Sequence, residues 1–187
     1  MHDPSLPFPG PEPVPSPRPP SGPAQDAVYG EIRIRLDAED GTLTVEGEEI
    51  PRAELRRLAG AKVNEHVPIG TRDADRLVLT VAGEDARITP ARGRISRRSY
   101  RVDVAYGGAA YRLVPCSPAD SKLRKDRRRI GVLTSRGDGS AEAEWKRGGK
   151  VLPQDAAIGY ALAAAFGTGA QSTLDWLLDA VDALLSH

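Results

Sequence analysis

Cysteine is nearly missing: Cys116 is the one thiol in 187 residues. No intrachain disulfide forms, a cysteine-rich zinc site is excluded, and cytoplasmic residence is the default expectation. Aromatic side chains are scarce at 5%, which leaves Val, Ile, Leu and Ala to build a core. His2, His66 and His187 have no companions at metal-ligand spacing. Cys116 sits in "PCSP", with no histidine nearby to activate it as a nucleophile. The start, "MHDPSLPFPGPEPV", has neither a basic n-region nor an apolar h-region, so no signal peptide is expected. Carboxylates are plentiful, but their spacing alone nominates no acid–base pair. The expectation is a non-enzymatic protein with no cofactor and no metal.

Long apolar runs are missing as well. The uncharged interval between Asp155 and Asp175 approaches the roughly 20 residues of a bilayer crossing. Only Ala156 to Phe166 is apolar, and half of that is alanine. Gly167, Thr168, Gly169, Gln171, Ser172 and Thr173 fill the rest. A transmembrane segment is not expected.

What is present reads as one domain with extras, 40% hydrophobic and 28% charged. Arginine outnumbers lysine and alanine is abundant, a bias common in GC-rich bacterial genomes. Proline dominates the first two dozen residues. Such a segment cannot donate ladder hydrogen bonds or bury apolar surface, so residues 1–26 are expected to form a disordered, polyproline-leaning arm. The globular domain is expected over 27–187.

From Tyr29 the pattern has period two. "YGEIRIRLD" and "GTLTVEGEEI" flank a turn-forming "AEDG" and predict a hairpin. "IPRAELRRLAG" predicts a short helix, with Pro51 in its first turn and Gly60 ending it. "RLVLTVAGEDARITP" returns to strands around a turn at Gly83 to Asp85. In "SYRVDVAYGGAAYRLVPCS", Tyr100, Val102, Val104 and Tyr106 share one face before the tight turn at Gly107 and Gly108. "KLRK", "RRIGVLTS" and "AEAEWKR" bring the candidate strands to about nine. Consecutive hairpins without helical crossovers argue against a parallel sheet.

The stretch "AIGYALAAAFGTGA" decides the architecture. Gly167-Thr168-Gly169 follows a helix, whereas a dinucleotide-binding loop follows a strand and opens a helix. Gly167 is expected to end the helix in a left-handed conformation, with Ser172 or Thr173 capping the next one. Pro153 and Asp155 suit the first turn. A helix apolar on every face must be enclosed by protein. Beyond it, "STLDWLLDAVDALL" sets Leu174, Leu177, Leu178, Val181 and Leu185 on one stripe and Asp175, Asp179 and Asp182 on another, predicting an amphipathic helix. The expected class is α+β, mainly antiparallel β: a barrel or strongly curved sheet of short hairpins around a buried C-terminal helix, followed by that second helix.

The net charge of zero hides a segregation. Residues 87–150 carry 17 basic and 6 acidic residues, and the rest of the chain carries the opposite excess. The candidate partner-binding residues are Arg97, Arg98, Arg101, Arg124, Lys125, Arg127, Arg128 and Arg129. Alternating strand geometry sets some of them on one outer face, where phosphate, anionic lipid, nucleic acid or an acidic protein would be attracted. The same cations have two blander uses, solvation or pairing with the acidic stripe of the last segment. Few aromatics interleave them, so a single-strand stacking platform is not supported. A protein–protein adaptor using the Leu174–Leu185 stripe is the alternative.

The stretches "SYRVDVAYGGAAYRLVPCS", "RRIGVLTS" and "VLPQDAAIGYALAAAF" together resemble, in element order and helix character, the tubby C-terminal-like fold, which includes LURP-one-related and scramblase-like proteins. The resemblance implies a closed antiparallel barrel around a hydrophobic C-terminal helix, and binding of anionic lipid or protein. The chain departs from it in having about nine candidate strands rather than a dozen and a second helix after the core one. No individual binding residue is implied.

Overall fold

The computed structural model describes residues 23–93 and 96–168. Among them run eleven strands: β1 (Ala24–Asp26), β2 (Gly30–Asp37), β3 (Thr42–Gly47), β4 (Ala53–Arg57), β5 (Leu77–Val81), β6 (Glu84–Pro90), β7 (Val102–Tyr106), β8 (Ala109–Pro115), β9 (Asp120–Lys125), β10 (Arg128–Thr134) and β11 (Glu142–Trp145). One helix, α1 (Pro153–Phe166), follows. Strand order in the sheet is chain order, and each strand pairs antiparallel with the next. β1 lies against β11, so the sheet curls into a nearly closed barrel with α1 along its inside.

Alternation explains the strands. Leu77, Leu79 and Val81 of β5, and Tyr111 and Leu113 of β8, point inward, while the residues between them face outward or lie half-buried. The helix obeys a different rule. Every residue from Asp155 to Phe166 is buried, so no polar face exists because no side of α1 meets water. Its small residues let the wall close in. A Cβ built on Gly159 would stand 2.9 Å from Leu123 Cδ2 and 3.4 Å from Leu133 Cδ2.

The helix expected at "IPRAELRRLAG" is strand β4 instead. Ala53 and Leu55 are buried between β3 and β5, whose ladders satisfy this backbone on both sides. Arg57 ends the strand by donating to the carbonyls of Ala38, Glu39 and Ile69, which ties two loops to it. Tertiary pairing overrides the local helical preference. β1 and β4 are the two strands beyond the nine expected. β1 also moves the domain boundary, since residues 24–26, assigned from the sequence to the arm, pair with Gly30–Ile32. Gly167 ends α1 with a positive φ of 53°, yet its ψ of −148° lies outside the left-handed helical basin. Residues 1–22 of the arm and the amphipathic segment Ser172–Leu185 lie outside the described residues.

Candidate anion-binding face

Two buried carboxylates fix α1 in the barrel. Asp155, in its first turn, accepts from the backbone N–H of Leu152 at 2.9 Å, the Tyr111 hydroxyl at 2.7 Å and Lys125 Nζ at 2.7 Å. Asp26 of β1 accepts from the N–H groups of Val28 and Tyr29, from Trp145 Nε1 at 2.8 Å and from the Tyr160 hydroxyl at 2.6 Å. Trp145 meets Tyr160 edge to face, with ring centroids 6.3 Å apart. It also covers Gly131, where a Cβ would lie 2.6 Å from its ring.

Burial, and then hydrogen bonding to these carboxylates, raises the hydroxyl pKa of Tyr111 and Tyr160 well above 10. The folded protein therefore keeps both protons where the unfolded chain has lost them. Their stabilisation is complete below pH 10 and is lost as pH climbs beyond it. Arg72 acts the other way. Burial lowers its pKa from 12.5 to about 10, so stability gains from its deprotonation in that window. Two strongly raised tyrosines outweigh one arginine, and alkaline unfolding is expected. Absorbance at 295 nm should show these hydroxyls ionising together with loss of the β-sheet dichroism signal. Their ionisation near pH 10 in an intact fold would contradict the assignment.

The basic residues gather where β8, β9 and β10 run side by side. Register sets Arg112 opposite Arg124, and Arg124 opposite Arg129, in one outward row across three strands. Strands lie about 4.8 Å apart, and like charges directly opposite one another are destabilising. Asp103, opposite Arg112 on β7, is the row's carboxylate; it pairs with Arg112 and, at 3.4 Å, with Arg101. Beside the β9–β10 turn, a groove of about 840 Å³ is lined by Lys125, Arg128, Arg129, Lys146 and Lys150, with Asp126 among them. Among the described residues Arg124, Arg127, Arg128, Arg129, Lys146 and Lys150 form no ion pair.

The structure sorts the eight sequence candidates. Arg124, Arg127, Arg128 and Arg129 share the exposed face, and Arg101 reaches it through Asp103. Lys125 serves the core instead. Its ammonium is committed to Asp155 and lies 5.5 Å over the Tyr111 ring, so it anchors the core helix from the groove wall. Arg98 is exposed in the short 3-10 turn Arg97–Tyr100, whose last carbonyl accepts from Arg72 beside the Phe166 ring at the far end of α1. The backbone of Arg97 belongs to that turn. Arg112, Lys146 and Lys150 join the face although no local pattern singles them out. Register is the signal a local window lacks: it brings Arg112 opposite Arg124, and the bond from Lys146 N–H to the Ile130 carbonyl carries the β11–α1 connection to the groove.

His66 lines a different cleft, of about 590 Å³, with Lys62, Arg72, Asp73 and Arg92. Among the described residues no three of His, Cys, Asp and Glu are placed to hold a metal ion, and no helix is long and apolar enough to cross a membrane.

Fold and face define a nearly closed meander barrel, filled by its own helix and carrying a cationic strip over three adjacent strands. No family model, no curated protein and no solved structure matches the chain.

Proposed function

We propose that this protein is a non-enzymatic, cytoplasmic binding module that docks on an anionic lipid surface through β8–β10. The carrying observation is the row Arg112–Arg124–Arg129, with Arg128, Lys146 and Lys150 alongside. Folding sets these cations next to one another, and among the described residues Asp103 is the carboxylate that ion-pairs with the row, while Asp126 lines the groove without an ion pair. An external anion relieves that repulsion. The resemblance to the tubby C-terminal-like fold points the same way. Surface attraction of this kind decays over about 10 Å at 0.1 M salt, so binding should weaken steeply with ionic strength.

The test is flotation of the full chain with phosphatidylcholine vesicles, with and without phosphatidylserine, at low and moderate salt. Binding is expected with the anionic vesicles alone and should fall as salt rises. The Arg128→Glu/Arg129→Glu/Lys150→Glu variant is expected to lose it while keeping the parent's unfolding midpoint within a few degrees. A mobility shift on nucleic acid without vesicle binding would replace the lipid by a polynucleotide. Binding to neither would end the proposal.

A further inference from the structure

The β9–β10 turn is built in an unusual way. Asp126 and Arg127 occupy its two central positions with φ of 47° and 69°. This is the left-handed pair of a type I′ turn, where glycine or asparagine is favoured at the second position. The β7–β8 turn solves the same problem with Gly107 and Gly108. An arginine held left-handed is retained only where its surroundings over-determine it, and such residues cluster at ligand clamps. Here the surroundings are specific. Asp126 N–H donates to the Ala110 carbonyl at 2.8 Å, and Ala110 N–H donates back to Asp126 Oδ1 at 2.9 Å. The turn is bolted to β8.

That bolt holds Arg127 over a cleft of about 300 Å³, walled by Arg112, Arg124, Tyr111, Ala110 and Asp103. None of these residues lines the lysine-bearing groove. Three guanidiniums face one carboxylate, leaving two positive charges, and Arg124 and Arg127 have no partner among the described residues. Diffuse attraction to a surface needs neither a strained residue nor a walled cleft. A compact oxyanion with two charges uses both, since guanidinium forks match phosphate oxygens two at a time.

We infer that this cleft is a discrete site for one phosphate dianion, the head of a phosphomonoester, clamped by Arg112, Arg124 and Arg127. It goes beyond the surface docking proposed above and shares Arg112 and Arg124 with that face, but Arg127 belongs to the cleft alone and Arg128, Arg129 and Lys150 to the groove, so variants at those positions let the two fail separately. Matching charge makes the dianion the preferred form, and a phosphomonoester becomes dianionic above about pH 6.

Calorimetric titration of the full chain with inorganic phosphate tests it. One saturable site is expected, tighter at pH 7.5 than at pH 5. Arg127→Gly carries the distinguishing readout. Glycine suits the turn, so the unfolding midpoint should hold or rise, while phosphate affinity falls about tenfold or more with the lost charge-assisted bonds. Arg124→Gln should lose a similar factor, and Lys150→Gln, in the groove, less than about twofold. Vesicles bearing phosphatidic acid identify the ester: competition with inorganic phosphate assigns a lipid headgroup, and absence of competition assigns a soluble ester; both support the site. Absence of saturable binding at millimolar phosphate, equal losses in Arg127→Gly and Lys150→Gln, or binding unchanged in Arg127→Gly would overturn it. Vesicle flotation that survives in any of those cases leaves the docking face standing.

Discussion

Asp155→Ala is expected to remove about 3 kcal/mol or more of folding stability, the lower end of the range for breaking a buried ion pair. Asp155 is wholly buried, and its three donors converge from three parts of the chain: Leu152 before the helix, Tyr111 on β8 and Lys125 on β9. Alanine leaves the Tyr111 hydroxyl without its acceptor and the ammonium without its counter-charge. Lys125 keeps about a fifth of its side chain exposed, so it can swing toward the groove and recover some hydration. That escape is why the lower end applies. Single domains hold only about 5–15 kcal/mol in total, so the variant should unfold at markedly lower urea with an unchanged m-value. Adding Lys125→Met should recover part of the loss, because the buried cation is then gone. A coupling above about 1 kcal/mol in the double-mutant cycle marks the pair as a unit. Additive losses would show that Asp155 acts through the Tyr111 hydroxyl and the Leu152 N–H rather than through the ion pair, and an Asp155→Ala cost below about 1 kcal/mol would show that the helix is held by its apolar packing alone.

The carboxylate–helix contacts mark the limit of what could be read from the sequence. The uncharged run Ala156 to Phe166 fixes enclosure, because nothing but surrounding protein shields a helix with no polar side. Pro153 and Asp155 read correctly as its first turn. Hairpins were legible wherever period two met a glycine turn, as at Gly107 and Gly108. β4 was not, because Ala53-Glu54-Leu55-Arg56 fits strand and helix spacing equally, and only the neighbouring ladders decide. The candidate face was half legible. A run such as "LRKDRRR" announces basic charge, but alternation divides it. Lys125 turns inward to Asp155, while Arg124 and Arg129 turn outward to meet Arg112, which no local window contains. Local sequence gives the sign of the charge, and long-range register gives its arrangement.

Register also creates the second large expected loss, at Asp26. The hydrogen-bonded ladder among the described strands runs from β1 to β11 without joining its ends. Across that seam the Trp145 indole N–H reaches Asp26 Oδ2, and the Tyr160 hydroxyl reaches the same oxygen from the core helix. One carboxylate thus links the first strand, the last strand and the helix, while its other oxygen holds the β1–β2 turn through Val28 and Tyr29. Asp26→Ala strands four donors, each worth about 1 kcal/mol when well paired, so about 3–4 kcal/mol should be lost. Asn is no remedy. Its amide nitrogen is a donor set against the indole N–H, so Asp26→Asn should still lose about 2 kcal/mol or more. The consequence should be local before it is global. In a Trp176→Phe background, where Trp145 is the remaining indole, the emission of Asp26→Ala should shift to the red as the seam admits water. Amides of β1 and β11 should exchange faster than those of β4 and β5 across the barrel. Uniform acceleration over all strands would mean that Asp26 stabilises the fold without closing it, and an unshifted emission would place the closure in the apolar packing of Trp145 on Gly131.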